Sequence, residues 1–286
     1  MLRPFAPALL LTSLACTHVV QERELFPVRK LPIHSDRITR QNLEVTIEAG
    51  RLRGWVLRHP EARANVIYFT GNGEQVVRTY GRLQGLAELL RANVICVDYR
   101  GNGGSDGTPG LGHLQQDALR VFDATADMRG ALPTLAFSYS IGTWSAVHLA
   151  AHRPVAGLVL AAPFSAYRDV MGAARRLAPW FVRPFVRLEV SESMAKLTQP
   201  LQEMPQVKAP LLVLQGESDV ITPPHCGRHM HEAAGSLRKR LVSVPGVGHD
   251  GMAFTTEPMA SALKAFLEEV SAASAPAPAA GASSGR

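Results

Sequence analysis

Apolar and polar positions along the chain fall into two alternating rhythms. Residues 65–69, 94–97, 134–137, 156–160, 211–214 and 240–244 are short runs rich in Val, Leu, Ile and Ala. Such runs, bounded by polar or glycine-containing stretches, predict strands buried on both faces, as in a parallel sheet. Between them, 74–91, 114–128, 141–151 and 257–270 place apolar residues at three- and four-residue intervals, which predicts helices with one buried face. In 74–91 that face carries Val77, Leu83, Leu86, Leu89 and Leu90. Ahead of these, 43–48 and 52–58 flank Ala49-Gly50 and predict a β-hairpin. The whole pattern predicts an α/β domain over 41–271, with a mostly parallel eight-stranded sheet and helices on both faces.

Three stretches break the rhythm. From about 165 to 208 no strand is expected, only amphipathic material, which predicts a small helical lid at the edge where the strands end. Its Trp180, Phe181 and Phe185 suggest either an acyl-binding wall or packing of lid on core. Residues 272–286 are Ala, Pro, Ser and Gly, a composition that cannot bury a core and predicts a disordered tail. Residues 1–16 have Arg3, an apolar run from Phe5 to Leu14 and then small residues, the shape of an export signal too short to span a bilayer. The signal ends in Ser13-Leu14-Ala15-Cys16, which resembles a bacterial lipobox, with Ser13 where leucine is usual. That resemblance implies cleavage before Cys16 and lipidation of its thiol, with 17–40 as a tether to a membrane surface. Thr17 in place of aspartate then implies the outer membrane. The competing reading is plain secretion with Cys16 incidental.

Composition narrows the function classes. The chain has 286 residues and a formal net charge of +6, with the arginines scattered rather than striped among aromatics, so nucleic acid is not an expected partner. The other cysteines, Cys96 and Cys226, are read as free thiols. No CxxC pair or histidine cluster in the sequence suggests a metal site, and no cofactor is expected.

The candidate chemistry lies just beyond strands, where open parallel sheets bind ligands. Ser138-Tyr139-Ser140-Ile141-Gly142 follows one strand, Glu217-Ser218-Asp219 another, and Gly248-His249-Asp250 the last. Serine, acid and histidine in that order suit a nucleophile, the carboxylate that orients the base, and the base itself. Ser140 could instead be a helix N-cap, Ser138 the nucleophile, and Glu217 the acid.

Four stretches, YFTGNGEQV, VDYRGNGGSDG, FSYSIGT with AAPFSAYRDV, and LLVLQGESDVITPP with VPGVGHD, together resemble the α/β-hydrolases of the small-lid group. That group includes eukaryotic protein depalmitoylases and many bacterial esterases. The resemblance implies Ser140, Asp219 and His249 as catalytic triad, and the backbone amides of Ile141 and Asn72 as oxyanion donors. The substrate would be an acylated small molecule or protein, an ester or thioester. An aminopeptidase, an acyltransferase or a non-catalytic binding protein on the same scaffold are the rivals. Two positions depart from the family pattern. Ser138 replaces the first glycine of the serine motif, which suggests added strain, and Thr70 replaces histidine ahead of Gly71, which puts the support of the oxyanion loop in question.

Overall fold

The computed structural model describes residues 17–20 and 40–274. The export signal and Cys16 lie outside the described residues, as do 21–39 and 275–286. In chain order the principal elements are β1 (Thr17–Val20), β2 (Gln41–Ile47), β3 (Gly50–Leu57), β4 (Ala64–Phe69), α1 (Val76–Leu90), β5 (Ala92–Val97), α2 (Leu111–Ala124), β6 (Thr134–Tyr139), α3 (Thr143–His152), β7 (Gly157–Ala161), α4 (Tyr167–Leu177), β8 (Arg187–Val190), β9 (Leu211–Gly216), α5 (Pro224–Ala233), β10 (Lys239–Val244) and α6 (Met259–Ser274). Among the described residues, no helix is long and apolar enough to cross a membrane.

Eight strands form one sheet in the order β10-β9-β7-β6-β4-β5-β3-β2. Only the pairings of β3 with β2 and β5 are antiparallel; the rest are parallel. Every residue of β4, β5, β6, β7 and β9 is buried, which is why these strands read as unbroken apolar runs. One face packs against α1 and α6 through Leu83, Leu86, Leu90, Leu263 and Phe266. The other packs against α2, α3 and α5 through Val121, Val147, Leu149 and Met230. Each leucine fully buried in these layers contributes roughly 1.5–3 kcal/mol.

Buried polar groups fix the loops at the active edge. Asp98, just past β5, accepts the Val76 N–H through Oδ1 at 2.8 Å and so caps α1. Burial pushes its carboxyl up to about 6, against the opposing pull of the Val76 and Gly104 amides. Arg100 bonds Asp117 through two nitrogens, each at 2.7 Å, and reaches Glu48 at 2.7 Å. These contacts brace the loop after β5.

The fold departs from the sequence pattern in four places. The helix α5 was not foreseen, because its sequence PHCGRHMHEA buries only Cys226, Gly227 and Met230 and carries no apolar stripe. The lid, expected to hold no strand, contains β8, which pairs in parallel with β1 from Thr17↔Arg187 to Val20↔Val190. The segment expected to act as a tether therefore begins as a strand laid along the lid. Trp180, Phe181 and Phe185 are 78%, 61% and 49% exposed, so they do not pack the lid onto the core. Finally, α6 continues to Ser274, into the first residues expected of the tail.

Candidate active site

The turn from β6 into α3 presents Ser140. Its φ is +54°, left-handed for a residue with a side chain, and it opens a short 3-10 turn, Ser140–Gly142, that leads into α3. Such local strain survives only where the surroundings enforce it, and it commonly marks functional sites. Gly142 shows the enforcement. A Cβ there would lie 2.4 Å from the Phe69 carbonyl oxygen and 2.8 Å from that of Thr70, so the turn presses on the end of β4 with no room for a side chain.

Ser140 Oγ lies 2.9 Å from His249 Nε2, and His249 Nδ1 lies 2.8 Å from Asp219 Oδ2. Asp219 is buried, whereas its rival Glu217 is exposed. The Asp219 carboxylate also accepts the Ile221 and Thr222 N–H groups on Oδ1, at 2.9 and 2.8 Å, and the Thr222 hydroxyl on Oδ2 at 2.9 Å. Burial works to raise this carboxyl, but the bonds from His249 and Thr222 outweigh it and hold it below the ordinary carboxylate value. An ionised Asp219 accepts from His249 Nδ1–H, which leaves the Nε2 lone pair facing the Ser140 hydroxyl.

Ser138 lies wholly inside β6, paired with Phe69 and Leu160, and its Oγ has no hydrogen-bond partner among the described residues. It is not among the positive-φ residues. The departure from glycine therefore leaves a buried hydroxyl unpaired and puts no positive φ at Ser138.

The loop after β4 carries Asn72, which is exposed at the turn. Ile141 is buried at the helix start, where the leading N–H groups lack intrahelical acceptors. Support for the Asn72 loop comes from residues the sequence reading passed over. Glu74 Oε2 accepts the Gly71 N–H at 2.7 Å, and the Thr70 carbonyl accepts the Tyr99 hydroxyl at 2.8 Å. Glu74 is in turn paired with Arg82, whose guanidinium stands 4.8 Å from the Tyr139 ring centre. The Tyr139 hydroxyl donates to the His249 carbonyl at 2.8 Å, and its ring lies 5.2 Å from the imidazole, centre to centre. Glu74 thus links the Gly71-Asn72 loop to the wall behind His249, a support that does not depend on the side chain at Thr70. The available signal was an acid three residues after Gly71, inside the quoted GNGE.

A positioning role for Glu74 has a measurable consequence. Glu74→Ala should lower kcat about ten- to a hundredfold with KM for a small ester little changed, as expected for slack in preorganised donors. Glu74→Gln, which keeps an acceptor for Gly71, should recover part of the loss. A variant that merely unfolds would lose titratable active sites at constant kcat per site.

Two side-chain trios could hold a cation, although the sequence suggested none: His148, His152 and Glu203, and Asp169, His225 and Cys226. In each, ligand atoms lie within 4.8 Å of one another. His148 Nδ1 is 2.8 Å from Glu203 Oε1, and Asp169 Oδ2 is 3.1 Å from His229 Nδ1. Cys96 and Cys226 are both free and buried.

A family model described as serine aminopeptidase S33 matches residues 60–199, and one described as TAP-like protein matches 191–277. An uncharacterized protein of Mycobacterium tuberculosis is 32% identical over 228 residues, covering 78% of this chain and 77% of that one. The chain belongs to the α/β-hydrolase superfamily. Within it, lysophosphatidylserine lipase ABHD12 of Mus musculus is 30% identical over 190 residues, 61% of this chain and 46% of the relative, so the match spans about half of that curated protein. Among solved structures, the Pyrococcus furiosus esterase Pf2001 superposes with a TM-score of 0.64 at 18% identity, over 84% of this chain and 99% of the other. Est1E of Butyrivibrio proteoclasticus gives 0.61 at 18%, over 81% and 99%. At that identity these structures share the fold. The expected fold class thus stands, and the chain is a hydrolase.

Proposed function

We propose that this hydrolase cleaves carboxylic esters or thioesters through an acyl-enzyme, with Ser140 as nucleophile, His249 as base and Asp219 as the acid that orients it. The observation that carries the reading is the 2.9 Å contact from Ser140 Oγ to His249 Nε2, made by a serine held at φ +54°. As Oγ attacks the acyl carbon, its proton passes to Nε2. The carbonyl oxygen gains the negative charge and is stabilised by the amides of Ile141 and Asn72, a donor of this kind being worth about 3–4 kcal/mol. Collapse expels the alcohol or thiol, which leaves with the proton from Nε2. Water then repeats the sequence on the acyl-enzyme and frees the acid.

The name of the first family model raises serine aminopeptidase as the alternative. A peptidase of that kind needs a carboxylate to hold the substrate amine, and the lid acids are otherwise engaged. Glu203 is buried on His148, Glu192 pairs with Lys196 at 2.6 Å, and Glu189 lines a cavity with three arginines. The name of the ABHD12 relatives supports an acylated substrate instead.

The same proposal covers location. The protein is exported and held on a membrane surface, most simply the outer membrane, by acylation of Cys16. The test combines a chain-length series of p-nitrophenyl esters, an acyl thioester and an aminoacyl anilide with fractionation of wild type and Cys16→Ser. Ester turnover without anilide turnover, and a shift from the membrane fraction to soluble protein or uncut precursor on losing Cys16, are the expected results. Anilide turnover above ester turnover would sink the substrate class, and a soluble wild type with another N-terminus would sink the anchor.

A further inference from the structure

We infer that the outer face of the lid, from Ala174 to Leu188, is a docking surface for a bilayer rich in anionic lipid. Two faces of the lid have opposite fates. Tyr167, Val170 and Met171 of α4 pack inward, on the cluster that contains Ile141 and Trp144 beside the nucleophile. On the outside stand Trp180, Phe181 and Phe185, which lie within six residues and are each about half exposed or more. No comparable group of exposed aromatics is found among the described residues.

Charge selects the partner. Ala174–Leu188 contains Arg175, Arg176, Arg183 and Arg187 and no carboxylate. All four arginines are exposed, and none pairs with an acid among the described residues. Arg175, Arg176 and Arg183 donate instead to the carbonyls of Arg183, Gly172 and Ala178, at 3.0, 3.2 and 2.8 Å. Those bonds fix the guanidinium groups beside the aromatics without neutralising them. Arg168, Arg175 and Arg187 also line a cavity of about 520 Å³ between α4 and β8, with Met171, Leu188 and one carboxylate, Glu189, so cations outnumber it three to one. Guanidinium forks match phosphate oxygens, and apolar rings between cations are what an interfacial segment presents to headgroups and acyl chains.

Chain continuity gives the orientation, and here the inference rests on the acylation reading above. Thr17 pairs with Arg187 in the β1–β8 ladder. Cys16 is one peptide unit away, about 3.8 Å from Cα to Cα. An acyl group on Cys16 would therefore leave the protein beside the arginine-and-aromatic face, and both would meet the same bilayer with the nucleophile directly behind the lid.

Tryptophan fluorescence can test this on the full chain. Of the three tryptophans, Trp55 and Trp144 are fully buried and Trp180 is exposed. Vesicles of brominated phosphatidylglycerol should quench and blue-shift the Trp180 emission, and Trp180→Phe should abolish the change. Quenching should need on the order of tenfold less phosphatidylglycerol than phosphatidylcholine, and should weaken as salt rises. Arg187→Glu, and separately Phe181→Ser with Phe185→Ser, should each reduce it. Co-flotation reports whether vesicles are bound at all, and Ser140→Ala and Cys16→Ser proteins show whether the result depends on turnover or on the anchor. Protein that floats without Trp180 quenching, protein that never floats, or equal quenching in both lipids overturns the inference. None of these readings depends on which ester is cleaved.

Discussion

Ser140→Ala should lower the rate of ester hydrolysis by on the order of 10⁶ and abolish labelling by a fluorophosphonate, while the protein keeps its fold. The size of the loss follows from what the hydroxyl does. In the proposed mechanism it forms the covalent bond to the acyl carbon, and its proton is the one His249 Nε2, 2.9 Å away, takes in that first step. The fold survives because alanine carries the same Cβ at φ +54° and the same buried surroundings. Ser138→Ala is the internal control. Its hydroxyl has no partner in the core of β6, so removing it should leave activity intact and stability equal or higher. Rates and melting curves for both variants decide the matter. A Ser140→Ala protein with a tenth of wild-type activity, or a dead Ser138→Ala protein, would falsify the assignment.

Asp219→Asn should cost on the order of 10⁴ in kcat with little loss of stability, because the imidazole would be held in the wrong tautomer. The surrounding donors dictate how the amide sits. Ile221 and Thr222 aim two N–H groups at the Oδ1 position, so the amide oxygen settles there. The NH₂ then takes the Oδ2 position facing His249 Nδ1 and donates to it. The imidazole proton moves to Nε2, where it points at Ser140 and cannot accept the hydroxyl proton. Glu217→Gln, on an exposed neighbour, should change the rate by less than about twofold, since substitutions away from such features are close to neutral. Steady-state kinetics on the pair is sufficient, and equal losses would remove Asp219 from its role.

The sequence by itself determined the layered architecture and the elements that deliver Ser140, Asp219 and His249. Strands buried on both faces must be apolar throughout, so β4, β5, β6, β7 and β9 were legible one by one, and the polar or glycine-rich turns at their ends marked the active edge. A helix such as α1, with Leu83, Leu86 and Leu90 on one stripe, was equally legible. The elements that escaped lack such a stripe. The helix α5 is held by three buried residues, and β8 by a partner strand more than 160 positions away in the chain.

The resemblance favours Ser140 over Ser138 and Asp219 over Glu217, but only the tertiary structure brings Ser140 Oγ and Asp219 Oδ2 to His249, from over a hundred residues away in Ser140's case. The same holds for Glu74, whose carboxylate accepts the Gly71 N–H, and for Trp180, Phe181 and Phe185. Composition marks those three as apolar, but whether an apolar ring meets the core or the solvent is settled by which way the folded backbone turns it.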